Sequence, residues 1–250
     1  MSEVQIESAA GVLTITFDAP ERLNGFTPEM LNEAAQAIEV VPAGTRLVVV
    51  TGSGRAFSSG AGLGGEFRGI ELLDGSNRLI RAIVATPVPV VAGVNGIAAG
   101  VASSIAFAAD IAVAKTSAYF LLAFVNIGLM PDGGSTELVA ASVGRARANA
   151  MALLGERMPA SEAAAAGLIH LAVEDDEYED ALARVVGKLC AGATVAYGAT
   201  KKAITATTLT HLEDALERER AGQIALFDSE DWKEGSSAFL EKRPARFTGA

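Results

Sequence analysis

Two glycine-rich segments carry the groups best placed for chemistry. The first is Gly52-Ser53-Gly54-Arg55-Ala56-Phe57-Ser58-Ser59-Gly60-Ala61-Gly62-Leu63, and it follows the apolar run Leu47-Val48-Val49-Val50. The second is Asn95-Gly96-Ile97-Ala98-Ala99-Gly100-Val101-Ala102-Ser103, and it follows the apolar residues 88–94. Each pattern reads as a short buried strand running into a turn, and the second leads into an alanine-rich segment that predicts a helix. Free N–H groups at turns and helix starts attract developing negative charge. The chemistry open to them is stabilisation of an oxyanion. A dinucleotide fingerprint begins similarly at Gly52-Ser53-Gly54, but Phe57 stands where its third glycine belongs. The Gly-Lys-Ser/Thr ending of a phosphate loop is absent too. Taken singly, each segment is also satisfied by a tight turn with no ligand.

The elements that must position these turns can be read from periodicity. Val4, Ile6 and residues 12–17 predict two strands joined at residues 9–11. Thr27 can cap a helix with Pro28 in its first position and Met30, Leu31, Ala34, Ala35 and Ile38 on its apolar face. Strands are expected at 47–51, 88–94, 110–114 and 118–120, with helices at 71–85 and after Gly100. Beyond about residue 143 the pattern becomes helical, at 145–154, 161–166, 178–190, 194–207, 211–227 and 231–241. Thr210 with Glu213 fits a capping box. A β-rich part therefore precedes a helical part.

At 250 residues, half of them hydrophobic, the chain can build one large core. A net charge of −10 disfavours nucleic acid or an anionic membrane as partner. The uncharged stretch between Arg81 and Asp110 imitates a membrane span, but Pro87, Pro89, Gly93, Asn95 and Gly96 interrupt it. The opening Met1-Ser2-Glu3-Val4 lacks the basic and apolar parts of a signal peptide. The single cysteine, Cys190, fits a reducing compartment and a packing role, so a cytoplasmic location is expected. Glu174-Asp175-Asp176-Glu177 reads as a solvated loop before a helix. His170 is expected to be structural and His211 to lie on the surface. Neither has metal-ligand spacing, and no metal is expected.

The two glycine segments, together with Gly128-Leu129-Met130-Pro131-Asp132-Gly133-Gly134 and Phe239-Leu240-Glu241-Lys242-Arg243-Pro244, resemble the crotonase family of enoyl-CoA hydratases and isomerases. The resemblance covers almost the whole chain. It implies an α/β fold, a spiral of strand–strand–helix units over residues 1–195. A C-terminal helical region, 196–250, would then mediate a homotrimer or a dimer of trimers. The substrate implied is an acyl-CoA thioester, with coenzyme A arriving as part of it and no separate cofactor. The oxyanion donors implied are the backbone amides of Ala61 and Val101. A glycine is usual at the second place, so the valine side chain could narrow the approach. For the CoA arm the resemblance points to Arg22, Lys242 and backbone groups around Ala56 and Ala61. Residues 66–77 should border the acyl pocket.

The same resemblance exposes a departure. Hydratases of the family use two glutamates, and the corresponding positions here hold Ser104 and Phe124. Neither side chain can exchange protons near neutral pH. Ser104 then reads as a helix-packing residue, and Phe124 and Leu129 as acyl-pocket lining. One acid remains near the site. Asp132 by composition alone is part of an ordinary Pro-Asp-Gly turn. The resemblance gives it a second reading, because several family isomerases place a proton-shuttling aspartate just after this Gly-x-x-Pro stretch. The resulting expectation is an enoyl-CoA isomerase in which Asp132 moves a proton from C2 to C4. The alternatives are a hydratase by family label, hydrolysis or dehalogenation through Asp132, and non-catalytic acyl-CoA binding.

Overall fold

The computed structural model describes residues 2–62 and 68–250. Strands β1 (Val4–Ala9) and β2 (Val12–Phe17) pair antiparallel across a turn in which Ala10 and Gly11 take positive φ. Leu13, Ile15 and Phe17 alternate into the core, whereas β1 buries only Val4 and forms the sheet's edge. The Thr27 hydroxyl accepts from the Met30 N–H and starts α1 (Pro28–Glu39), with Pro28 in the first turn as its lack of an N–H allows.

From there the chain winds as the expected spiral. Each turn gives one strand to a large sheet, one three-residue strand to a small sheet, and then a helix. The first turn is β3 (Leu47–Gly52), β4 (Ala56–Ser58) and α2 (Gly69–Ala85). The second is β5 (Val90–Val94), β6 (Ile97–Ala99) and α3 (Val101–Ala108). The third is β7 (Ile111–Lys115), β8 (Tyr119–Leu121) and α4 (Ser135–Leu154). Strands β2, β3, β5 and β7 run parallel, and β10 (Leu171–Val173) closes that sheet. The run Leu47-Val48-Val49-Val50 is apolar throughout because β3 is covered on both faces. Strands β4, β6 and β8 form the small parallel sheet, finished antiparallel by β9 (Met158–Pro159). Pairing of Ser58 with Ala98 sets the ends of β4 and β6 side by side, so the turns that follow them are neighbours.

Helices α5 (Ala160–Ala165), α6 (Tyr178–Ala191), α7 (Thr194–Thr208), α8 (Leu212–Leu226) and α9 (Glu230–Leu240) complete the described chain. Leu212, Leu216 and Trp232 join the main core, so α8 and α9 pack back on the spiral. Lys201 of α7 is buried and donates to the Ile83 carbonyl at 2.6 Å and to Asp110 at 2.8 Å. The uncharged stretch divides into β5, β6 and α3, and no described helix is long and apolar enough to cross a membrane. Cys190 packs beside Leu47, Val49 and Val91.

Several local expectations are corrected. The glycine segments contain β4 and β6, which hydrogen-bond only because the spiral stacks them. Helix α4 starts at Ser135, not at 145, and Gly144, at φ 78° and ψ 164°, breaks it; only the half after the break is legible from the sequence. Helix α8 begins at Leu212 after His211 with no side-chain cap, so Thr210 and Glu213 form no capping box. His170 is exposed rather than packed, and its main-chain N–H donates to the Ala112 carbonyl at 3.1 Å.

Candidate active site

The first glycine turn is held from one side. The Phe26 N–H donates to the Gly60 carbonyl at 2.7 Å and the Gly62 N–H to the Phe26 carbonyl at 3.1 Å. This one-residue parallel bridge turns the Ala61 N–H away from Phe26. Asn24 lies beneath it, fully buried, with its side-chain oxygen accepting from Ala19 N–H at 2.9 Å. Its amide donates to the Ser53 and Ala56 carbonyls at 2.9 and 2.8 Å. Ser58 donates to the Asn24 carbonyl and accepts from the Gly60 N–H. Replacement of Asn24 by alanine removes those three hydrogen bonds and is expected to cost about 3 kcal/mol of stability, read as a lower urea midpoint.

The second turn is fixed by Gly100, whose positive φ of 56° begins α3. Its N–H donates to the Leu121 carbonyl at 2.7 Å, and the Ser103 hydroxyl donates to the Ala98 carbonyl at 2.7 Å. Val101 is thus the first residue of a helix, with an N–H that no helical carbonyl can accept. Neither the Ala61 nor the Val101 N–H donates to another described residue. The turns nearly touch: a Cβ built on Gly100 would lie 3.9 Å from the Gly60 Cα.

Asp132 reaches the same place from the segment before α4. The Ser104 hydroxyl donates to its main-chain carbonyl at 2.8 Å, so Ser104 anchors this turn rather than merely filling space. Gly133, at φ +64°, lets the turn lie against α3, since a Cβ there would sit 2.9 Å from the Val101 side chain. On the other side stand two residues that sequence reasoning missed, Glu219 and Gln223 of α8. The Glu219 carboxylate accepts from Gly134 N–H at 2.6 Å and from the Thr136 N–H and hydroxyl at 2.9 and 2.6 Å. Gln223 Nε2 donates to Asp132 Oδ2 at 2.8 Å, while Oδ1 is buried without a partner among the described residues. Burial pushes the Asp132 carboxyl up to about 7; the Gln223 donor opposes the rise and the nearby Glu219 charge adds to it. Burial also raises the Glu219 carboxyl, against the donors on Thr136 and Gly134.

A cavity of about 340 Å3 brings Ala61, Val101, Phe124, Leu129, Asp132 and Gln223 together. Leu72 and Leu73 of α2 and Phe239 of α9 add apolar wall. Of the expected border at 66–77, residues 66 and 67 lie outside the described residues, as does Leu63; Gly69, Leu72, Leu73 and Ser76 do line the cavity. Asp132 is the one carboxylate among its described lining residues and Arg243 the one cation. The three residues expected along a CoA arm are outside this lining. Arg22 forms a two-pronged pair with Glu3 and donates to the Gly25 carbonyl. Ala56 is buried in β4 with its carbonyl occupied by Asn24. Lys242 is exposed just past α9, next to Arg243, which pairs with Glu234 and Glu241.

The two-sheet spiral sets two uncommitted N–H groups in the lining of an apolar cavity that has one carboxylate among its described residues, an arrangement able to hold developing negative charge. Residues 7–250 match the family model for enoyl-CoA hydratase/isomerase, and the chain belongs to that family. It is 42% identical over 251 residues, 98% of each chain, to a probable enoyl-CoA hydratase of Rhodobacter capsulatus. It is 36% identical to the 1,2-epoxyphenylacetyl-CoA isomerase of Escherichia coli, over 96% of this chain and 95% of that one. Among solved structures, an enoyl-CoA hydratase from Mycobacterium avium subsp. paratuberculosis superimposes with a TM-score of 0.94 at 45% identity, over 99% of each chain. The crotonase spiral expected from the sequence is the fold of these relatives.

Proposed function

We propose that the enzyme moves a double bond in an enoyl-CoA, with Asp132 as the proton shuttle and the Ala61 and Val101 amides as the oxyanion site. The supporting observation is the single carboxylate of the cavity lining, held near neutral pKa beside two uncommitted N–H groups. The thioester carbonyl of a 3-enoyl-CoA would lie on the two amides. Asp132 takes a proton from C2, and the charge moves onto the carbonyl oxygen as a dienolate. Returning the proton at C4 gives the 2-enoyl product. A carboxyl near pKa 7 can both take and give that proton close to neutrality. Phe124 and Ser104 offer no second carboxylate to activate water, which disfavours hydration by the two-glutamate route. The isomerase activity in the name of one relative supports the reading, and the hydratase name of the other is its competitor.

The test is direct. Incubation with 3-enoyl-CoA should raise the absorbance of the conjugated 2-enoyl thioester, and 2-enoyl-CoA should be hydrated at least a hundredfold more slowly. Fast hydration, or tight binding of CoA esters without turnover, would overturn the proposal. Arg22, Ala56 and Lys242 remain our proposed contacts to the CoA arm. A homotrimer, or a pair of trimers, is proposed alongside. It is supported by Val195 and Ile204, large apolar residues exposed on α7. Light scattering should give three or six times the 25.6 kDa chain mass.

A further inference from the structure

The two oxygens of Asp132 sit in unlike surroundings. Oδ2 accepts the Gln223 N–H at 2.8 Å, whereas Oδ1 is buried and has no partner among the described residues. The Gln223 amide is itself oriented, because its Oε1 accepts from the Met130 N–H at 3.3 Å. Turning that amide over would set an NH2 against the Met130 N–H and a carbonyl oxygen against the carboxylate, so both contacts select one orientation. We propose that Gln223 is a positioning residue that holds the Asp132 carboxylate through Oδ2 and so fixes its orientation toward the acyl chain.

This inference rests on Asp132 being the base of the proposed isomerisation. In the first half, the C2–H bond breaks and an O–H bond to the Asp132 carboxylate forms. The electron pair spreads over C2, C4 and the carbonyl oxygen. In the second half, the Asp132 carboxyl gives the same proton to C4, the C2=C3 bond is left, and the carboxylate is restored with no net oxidation. A carboxylate held at Oδ2 keeps its alignment through both transfers, on which proton transfer depends. The clamp is supplied by α8, far along the chain from the turn it steadies.

The charged surroundings of Asp132 are few. Glu219, also on α8, lies closest and is tied to Gly134 and Thr136. Arg243, after α9, lines the same cavity and is paired with Glu234 and Glu241. Helix α3 contains no charged residue and presents Val101 and Ser104 to this turn.

Gln223→Met keeps most of the side-chain volume and removes both hydrogen bonds. kcat/KM for 3-enoyl-CoA would be followed from pH 5.5 to 9.5 for the wild type, Gln223→Met, Glu219→Gln and Asp132→Asn. The acid limb of Gln223→Met should move up by about one pH unit, with about a tenfold loss at pH 6.5 that shrinks at pH 9 and a KM within about threefold. The limb of Glu219→Gln should move the other way, because a neighbouring negative charge is gone. A purely structural contribution of α8 would lower both curves without moving them in opposite directions. An unmoved limb in Gln223→Met, with Asp132→Asn inactive, overturns the clamp and leaves the base in place. Full activity in Asp132→Asn overturns the base itself. If circular dichroism shows Gln223→Met unfolded, Gln223→Glu replaces it; a like charge should drive the limb further upward, and an unmoved limb overturns the clamp.

Discussion

Replacing Asp132 by asparagine is expected to reduce kcat for 3-enoyl-CoA isomerisation about a thousandfold, with KM changed no more than a few-fold. The amide fits the same space and can still accept the Gln223 N–H through its oxygen, so the cavity and the oxyanion amides persist. What disappears is the one carboxylate of the described cavity lining. The wild-type kcat/KM should fall about tenfold per pH unit below pH 7, as Asp132 takes up a proton and ceases to be a base. The residual activity of the variant should lack that limb. Stability supplies an independent reading. The folded carboxyl titrates near 7, above the ordinary 3.8, so the native state holds the proton more tightly than the unfolded chain. Its ionisation costs the fold nothing below pH 3.8. The cost grows as pH rises from 3.8 to 7 and is fully present above that. Asparagine carries no such burden. The variant should therefore match the wild type near pH 4 and gain on the order of 4 kcal/mol over it at pH 8, an upper bound for a shift of this size. Full turnover in the variant, or equal melting temperatures at both pH values, would contradict the placement of Asp132.

The second large effect concerns the seam between the two turns. Gly60→Ala is expected to destabilise the fold by about 3 kcal/mol or more, and to lower kcat about a hundredfold in whatever protein folds. Gly60 has φ +87°, and an added Cβ would lie 2.5 Å from the Ala99 carbonyl oxygen. That oxygen belongs to β6 and cannot swing aside as a side chain could. The turn must retreat, carrying the Ala61 N–H away from its partner on Val101. Chemical denaturation measures the first effect and steady-state kinetics the second. Wild-type values for both would show that the two amides do not depend on this close approach.

The long apolar strands were legible because burial on both faces writes itself as runs such as Leu47-Val48-Val49-Val50. The glycine turns were legible because few residues other than glycine accept those backbone angles. Strands β4 and β6 were not, since Ala56-Phe57-Ser58 and Ile97-Ala98-Ala99 have no strand pattern of their own and pair only through the spiral. Asp132 stood out as an acid only through likeness to relatives; its own sequence neighbourhood is an ordinary turn. Glu219 and Gln223 were hidden because polar residues on an amphipathic helix usually face water. A faint signal existed. Leu212, Ala215 and Leu216 mark the buried stripe of α8, and the same helical spacing continues to Glu219 and Gln223. Polar residues lying on an apolar stripe point to a buried polar task. Gly144, which divides α4, could have been suspected as a breaker, but nothing nearby announced that helix precedes it as well as follows it.

Helices α8 and α9 carry the Gln223 donor to Asp132 and part of the cavity wall, and they are the last of the described helices. A polypeptide still emerging from the ribosome owns both amides and the aspartate long before it owns the residues that seat them. Until α8 docks, the carboxylate lacks the Gln223 donor. On the proposed reading, the seating of Asp132 therefore waits for the synthesis and docking of α8.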